Sequence, residues 1–206
     1  MTEAEWLACE ESFSMGEFLK GKVSDRKARL FSIACCHQIA QYIDDSRMKA
    51  AVVAAEQFTE GKLSIDQLQA FHQAVGDAYC DAEHESAWSA VWCASRPEIT
   101  WCACHHAVMV PKFENWLPKE AAQSSLIRDI FGNPFRPVLF FPSWLTPTVA
   151  TLAQQMYDSR DFSAMPILAD ALQDAGCNSD QVLSHCRRPG PHVRGCFCVD
   201  AILGKS

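Results

Sequence analysis

The sequence predicts an all-α protein, a bundle of about eight to ten helices with one strap rich in proline and aromatic residues. Apolar residues recur at helical spacing through most of the 206 residues. Residues that cap helices stand before these runs, and glycine stands after several of them. The one strand-like run, residues 138–141, is too short to indicate a sheet.

The first third of the chain carries the clearest helix starts. Thr2 and Glu5 form a capping box ahead of the first apolar residues, and Ser64 with Gln67 forms another. Each box satisfies backbone amides that the first helical turn leaves without acceptors. Helices are predicted to start near Thr2, Ser12, Ser24 and Met48, and a long helical stretch, with a kink allowed, runs from Ser64 to Trp92.

Residues 132–146 interrupt the helices. Pro134, Pro137 and Pro142 exclude a regular helix there. The aromatic residues of this segment favour a strap packed on the helices over a flexible linker, because flexible linkers lack aromatic residues. The sequence therefore predicts a single helical domain over residues 1–206, with its candidate subdomain boundary within 132–146.

Helices are predicted on both sides of this strap. Before it, the pattern indicates helices over about 97–110 and about 119–131. After it, Thr146 is a cap followed by a first-turn proline. Further helix starts are predicted near Met165, Ser179 and Gly195.

The composition excludes several classes of protein. The net charge of −7 argues against a non-specific nucleic-acid binder, because phosphate binding needs a basic surface. No apolar run is long enough to span a bilayer, and the first residues lack the basic and apolar regions of a signal peptide. The sequence therefore predicts a cytoplasmic protein with no nucleic-acid or membrane partner.

The eleven cysteines do not indicate a set of structural disulfides. Their number is odd, and a chain with 49% apolar residues can build a core without covalent cross-links. Free cysteine packs as a small apolar residue. Reduced thiols are therefore expected.

Histidine, cysteine and arginine are concentrated in residues 177–206. Zinc prefers tetrahedral sites of nitrogen and sulfur ligands. The predicted ligands are Cys177, His185, His192 and Cys196, because each lies at a predicted helix end or on an inward face. Cys198 is excluded, since side chains two apart on a helix point in different directions. The alternative is packed thiols with histidines bonded to backbone carbonyls, because no paired-cysteine zinc motif is present.

Cys196 has a second interpretation. A helix N-terminus and the nearby Arg194 both lower a thiol pKa, so a reactive thiolate with His192 as its base is an alternative. No standard catalytic motif supports it, and the sequence favours a protein without enzymatic activity. Asp200 lies among apolar residues, so it is expected to form a buried ion pair with Arg194 or Arg187.

Two other groups are weaker candidates. Cys102 and His106 are four residues apart on a predicted helix and would suit two coordination positions. Asp170 and Asp174 share a helix face opposite the apolar stripe. A half-buried helix face explains the first pair, and a solvated acidic face explains the second.

Three segments of the chain together carry a resemblance: residues 1–7 (MTEAEWL), residues 128–137 (RDIFGNPFRP) and residues 189–196 (PGPHVRGC). They are similar to a large family of uncharacterised planctomycete bacterial proteins, over nearly the full length. The resemblance implies no activity, and it carries over no functional residue.

The function that the sequence favours is a helical binding or adaptor module with a protein partner. The alternative is a zinc-binding or reactive-thiol site in residues 177–206. Geometry separates the two hypotheses. An adaptor predicts an exposed apolar groove without converging polar residues, and a metal site predicts that its ligands lie next to one another.

Overall fold

The structure is a computed structural model that describes residues 1–81, 85–98 and 119–205. Within these residues the chain forms eleven α-helices, three short 3-10 helices and no strand. The all-α prediction is therefore confirmed. No helix of the described residues has both the length and the apolar character that crossing a membrane requires.

The chain divides into two compact units, residues 1–124 and residues 125–206. The division falls inside the helix Lys119–Phe131, whereas the sequence placed its candidate boundary in the strap. The proline and aromatic residues of the strap instead belong to the second unit, where Trp144 is part of the core.

Six complete helices of the described residues lie in the first unit. Two 3-10 helices, Ala40–Tyr42 and Tyr79–Asp81, separate some of them. The helix α4 packs against α3, α5 and α6, and α3 also packs against α6. The helices are α1 (Glu3–Ala8), α2 (Ser12–Leu19), α3 (Asp25–Gln38), α4 (Ser46–Thr59), α5 (Ile65–Asp77) and α6 (Glu85–Ala94).

Both predicted capping boxes are present. The Glu5 amide donates to Thr2 Oγ1 at 3.3 Å, and the Thr2 amide donates to Glu5 Oε2 at 2.7 Å. Ser64 and Gln67 exchange the same two bonds at 3.3 and 2.9 Å. The stretch from Ser64 to Trp92 is not one helix, because a 3-10 turn follows α5. The helix predicted over 97–110 lies outside the described residues.

The second unit begins within α7, at Ser125. A 3-10 turn, Pro142–Trp144, lies in the strap. The helix α8 packs against α9 and α11, and α9 packs against α10. The helices are α7 (Lys119–Phe131), α8 (Pro147–Ser159), α9 (Met165–Asp174), α10 (Asp180–Arg187) and α11 (Phe197–Ile202).

An apolar core holds the second unit together. Leu168 and Leu172 of α9 are fully buried, as are Val149 of α8 and Val182 of α10. Burying one such side chain contributes roughly 1.5–3 kcal/mol relative to leaving it exposed. The core therefore fixes the helix ends from which the polar cluster described below is built.

Gly132 allows α7 and α11 to approach closely. Its φ is 66°, in the left-handed region, and a Cβ built there would lie 3.2 Å from Cγ of Phe197. Phe197 is the first residue of α11, so this glycine sets the distance between the end of α7 and the start of α11.

Replacing this glycine tests the close approach. Gly132→Ala should destabilise the protein more than Gly176→Ala, since both have positive φ but only Gly132 has atoms within 4 Å of the added methyl. The backbone strain costs each variant roughly 1–2 kcal/mol, and overpacking against Phe197 adds about 1–3 kcal/mol. Urea denaturation gives the free energy of unfolding of each variant. Equal decreases in the two variants would show that Phe197 moves aside without cost.

Candidate metal centre

A fully buried carboxylate, Asp129 of α7, lies at the centre of a polar cluster. Its Oδ1 lies 2.8 Å from Nδ1 of His192 and 3.3 Å from Nε2 of His185. Its Oδ2 accepts a hydrogen bond of 3.1 Å from the amide of Val193. Both carboxylate oxygens are therefore held by groups from the C-terminal third of the second unit.

The cluster is completed by a thiol. Sγ of Cys196 lies 3.2 Å from Nε2 of His185, the same nitrogen that faces Asp129. One ligand atom from each of Asp129, His185, His192 and Cys196 lies within 4.8 Å of every other. Two imidazole nitrogens, a carboxylate oxygen and a thiol sulfur therefore face a common point.

Local structure brings each side chain to this point. Ser179 caps α10 by accepting the amide of Val182, and His185 follows Val182 by three residues, so both face the core. The amide of Cys196 donates to the carbonyl of Val193 at 2.9 Å, which closes a turn just before α11. This turn directs His192 and Cys196 to the same side.

Burial and charge act in opposite directions on the ionisable groups. Burial favours a raised pKa for Asp129, but its contacts with His185 and His192 outweigh burial and hold that pKa below its usual value. Burial lowers the pKa of His185, despite the neighbouring Asp129. The lowered pKa favours the neutral form of the His185 ring at neutral pH, and only the neutral ring can bind a metal.

Three of the four predicted ligands come together in this cluster, namely His185, His192 and Cys196. Cys177 is not a member; its buried thiol lies near Cys186 instead. Sequence reasoning missed Asp129. The available signal was an aspartate in α7 beside the apolar residues Leu126 and Ile130, since a buried carboxylate requires partners.

Cys198 has a different neighbour from Cys196. Its Sγ lies 3.4 Å from Sγ of Cys186, and both residues are fully buried. This arrangement agrees with the exclusion of Cys198 from the ligand set. Cys177, Cys186, Cys196 and Cys198 form no disulfide. The reduced state of the protein stays a prediction.

The thiol of Cys196 differs from the reactive thiolate that the sequence offered as an alternative. Burial, followed by the neighbouring charge of Asp129, raises its pKa well above the usual value. Arg194 does not offset this, because its guanidinium donates to the carbonyls of Tyr157 and Asp158 at 2.8 and 3.3 Å. The prediction of a lowered pKa is therefore wrong.

The arrangement also differs from that of a nucleophile with its base. A catalytic histidine contacts the nucleophile through one ring nitrogen and an orienting carboxylate through the other. Here the sulfur of Cys196 contacts His185, whereas His192, the base considered in the sequence, contacts Asp129 through Nδ1. Nε2 of His185 faces both the sulfur of Cys196 and the oxygen of Asp129. Convergence on one nitrogen suits atoms that share a metal ion.

The prediction that Asp200 pairs with Arg194 or Arg187 is wrong. Asp200 is buried as predicted, but Arg194 binds the two carbonyls named above and lies over the ring of Tyr157. Arg187 instead pairs with Asp170 at 2.9 Å, on the exposed surface. Asp170 is therefore a solvated, paired residue. Cys102 and His106, the other candidate pair, lie outside the described residues.

Comparison with known proteins finds no family model, no curated protein and no solved structure that matches this chain. The resemblance to planctomycete bacterial proteins therefore stays a prediction.

Selective alkylation tests the accessibility of the cluster. In the native protein, iodoacetamide should modify the exposed Cys80 at least about 100-fold faster than the fully buried Cys196, because Cys196 reacts only when the unit opens. Mass spectrometry of the labelled peptides measures both rates. Denaturant should make the two rates similar. Equal rates in the native protein would restore the reactive-thiolate interpretation.

Proposed function

We propose that residues 125–206 form a zinc-binding helical unit in which one zinc ion ties α7, α10 and the turn before α11 together. The ligands are Asp129, His185, His192 and Cys196. The observation that carries the proposal is the convergence of four ligand atoms from these residues on one buried point.

Two of the separations match a tetrahedral zinc ion, and the others, all within 4.8 Å, would have to adjust when a metal binds. Ligand atoms bound at zinc–ligand distances of 2.0–2.3 Å and tetrahedral angles lie about 3.3–3.6 Å apart. The separations from His185 Nε2 to the sulfur and to the carboxylate oxygen are 3.2 and 3.3 Å. The shorter contact, 2.8 Å between His192 and Asp129, is a hydrogen bond that would lengthen by about half an ångström when a metal replaces its proton.

The charges also suit a divalent ion. A thiolate from Cys196 and the carboxylate of Asp129 supply two negative charges, and two neutral imidazoles supply none. Together with Zn²⁺ the buried group is neutral, so it avoids the high cost of an unbalanced charge in the protein interior. Magnesium and calcium prefer sites built from oxygen alone, so this mixed ligand set favours zinc.

A structural role fits the site better than a catalytic one. Catalytic zinc keeps one coordination position open for water or substrate, whereas structural zinc is held by four protein ligands. The cluster offers four, and its side chains are buried. The amide of Val193, which holds the second oxygen of Asp129, would act as an outer contact that orients the ligand.

A protein-binding role stays a second proposal. The strap exposes four large apolar side chains, and Leu139 at 76% and Phe141 at 54% are the most exposed of them. A partner would bind there. The adaptor hypothesis, however, expects no converging polar residues. The predictions of a cytoplasmic location and of no nucleic-acid partner stay predictions.

Metal analysis tests the zinc site directly. Purified protein should contain one zinc per chain by inductively coupled plasma mass spectrometry, because the four ligand atoms surround a single point. Cys196→Ser and His185→Ala should each lose most of it. Cys177→Ser and Cys198→Ser are matched controls and should retain it, since neither residue belongs to the cluster.

A cobalt spectrum covers the case in which a ligand variant does not fold. Cobalt-substituted wild type should show a thiolate-to-cobalt charge-transfer band and the visible bands of tetrahedral coordination. Wild type that takes up less than one equivalent of metal, or whose cobalt spectrum lacks the thiolate band, would refute the proposal.

Removing the metal should destabilise the protein. A ligand that binds only the folded state at about 100 times its Kd adds about 2.7 kcal/mol to the free energy of unfolding. Chelation should therefore lower the melting temperature of wild type, and added zinc should restore it. The melting temperature of Cys196→Ser should be insensitive to both treatments. A wild-type melting temperature unchanged by complete removal of bound zinc would mean that the ion does not tie the helices together.

A further inference from the structure

Two thiols that the zinc site does not use lie directly behind it. Cys186 follows the ligand His185 in α10, and Cys198 lies two residues after the ligand Cys196, in α11. Their sulfur atoms are 3.4 Å apart, and both side chains are fully buried. The same two segments that share the proposed metal therefore also share a pair of adjacent thiols.

We infer that Cys186 and Cys198 are a disulfide-forming pair that the bound metal protects and that oxidises when the metal is lost. The metal-dependent part rests on the proposed function. The disulfide would join α10 to α11 covalently. In the zinc-bound protein the ion connects the same two segments through His185 and Cys196.

The distance permits the bond after a small movement. A disulfide has an S–S length of about 2.05 Å, so the two sulfur atoms must approach by about 1.4 Å. The other nearby thiols are less well placed: Cys196 faces His185, and for Cys177 only an electrostatic interaction with Cys186 is found. The pairing expected is therefore Cys186 with Cys198.

The reaction needs a two-electron oxidant, such as a peroxide in the cell or the azo compound diamide in the test. Each thiol gives up one proton and the two sulfur atoms together give up two electrons as the S–S bond forms. Diamide takes up the two protons and two electrons and becomes the corresponding hydrazine.

Burial explains why the metal protects the pair. Because neither sulfur is exposed, an oxidant reaches it only when the unit opens. A metal that binds the closed unit lowers the open population, and at about 100 times Kd it lowers it about 100-fold. The rate of oxidation falls by the same factor when closing is faster than the reaction.

The test compares two samples of wild-type protein, one zinc-loaded and one treated with a chelator, each with its zinc content measured. Both are treated with diamide, blocked with N-ethylmaleimide and digested with trypsin. Cleavage after Arg160, Arg187, Arg194 and Lys205 gives peptide 161–187, with Cys177 and Cys186, and peptide 195–205, with Cys196 and Cys198. Fragmentation of the linked pair identifies the bonded cysteines without any mutation.

We expect the chelated sample to yield the Cys186–Cys198 bond about 100-fold faster than the zinc-loaded sample at zinc concentrations near 100 times Kd. Cys198→Ala should abolish the linked pair, and the matched control Cys177→Ala should retain it. Absence of the bond in the chelated sample, or a bond through Cys196, would overturn the inference.

The readouts separate the two proposals. Equal oxidation rates in a sample that holds one zinc per chain would overturn metal protection while leaving the zinc site intact. A sample that binds no zinc would refute the proposed function and the metal-dependent part together, whether or not the thiols are linked.

Discussion

The arrangement of the second unit depends on one buried carboxylate. Asp129 has no exposed surface, so its charge must be compensated within the protein. It receives the amide of Val193 and faces the rings of His185 and His192. These groups come from α10 and the loop that follows it, and they bring the thiol of Cys196 with them. Removing any one of these contacts would leave a buried polar atom without a hydrogen-bond or charge partner. The stability of the surrounding helices therefore depends on the site.

Local chemistry in the sequence was enough to predict the helices. Caps such as Ser179 and Thr146 act within four residues, because a side-chain oxygen accepts an amide of the first turn. Gly132 ends α7 as predicted, since its positive φ suits glycine. No proline stands at the 3-10 turn after α5. Gly76 lies in the last turn of α5, where a Cβ would lie 2.8 Å from the ring of Trp92, so the end of this helix depends on packing that a local pattern does not reveal.

The candidate site was predictable only in part, because one of its four residues lies far from the other three along the chain. His185, His192 and Cys196 are close in sequence, so their density was visible. Asp129 precedes His192 by 63 residues, and no local pattern connects the two. Cys177 was included because it is also close in sequence, but its thiol is not part of the cluster. Asp129 also stands among apolar residues, as Asp200 does, and a buried aspartate must be paired, so its burial and its need for partners were predictable.

The order of the ligands along the chain has a consequence for synthesis on the ribosome. Asp129 emerges long before its partners, while His185 and Cys196 are only 11 residues apart and emerge almost together. A nascent chain that stops before Cys196 carries a carboxylate that has no complete set of partners, so the second unit cannot close around it at low cost. The second unit is therefore expected to reach its stable form only after Cys196 has been synthesised, and chains that stop earlier should remain open to proteolysis.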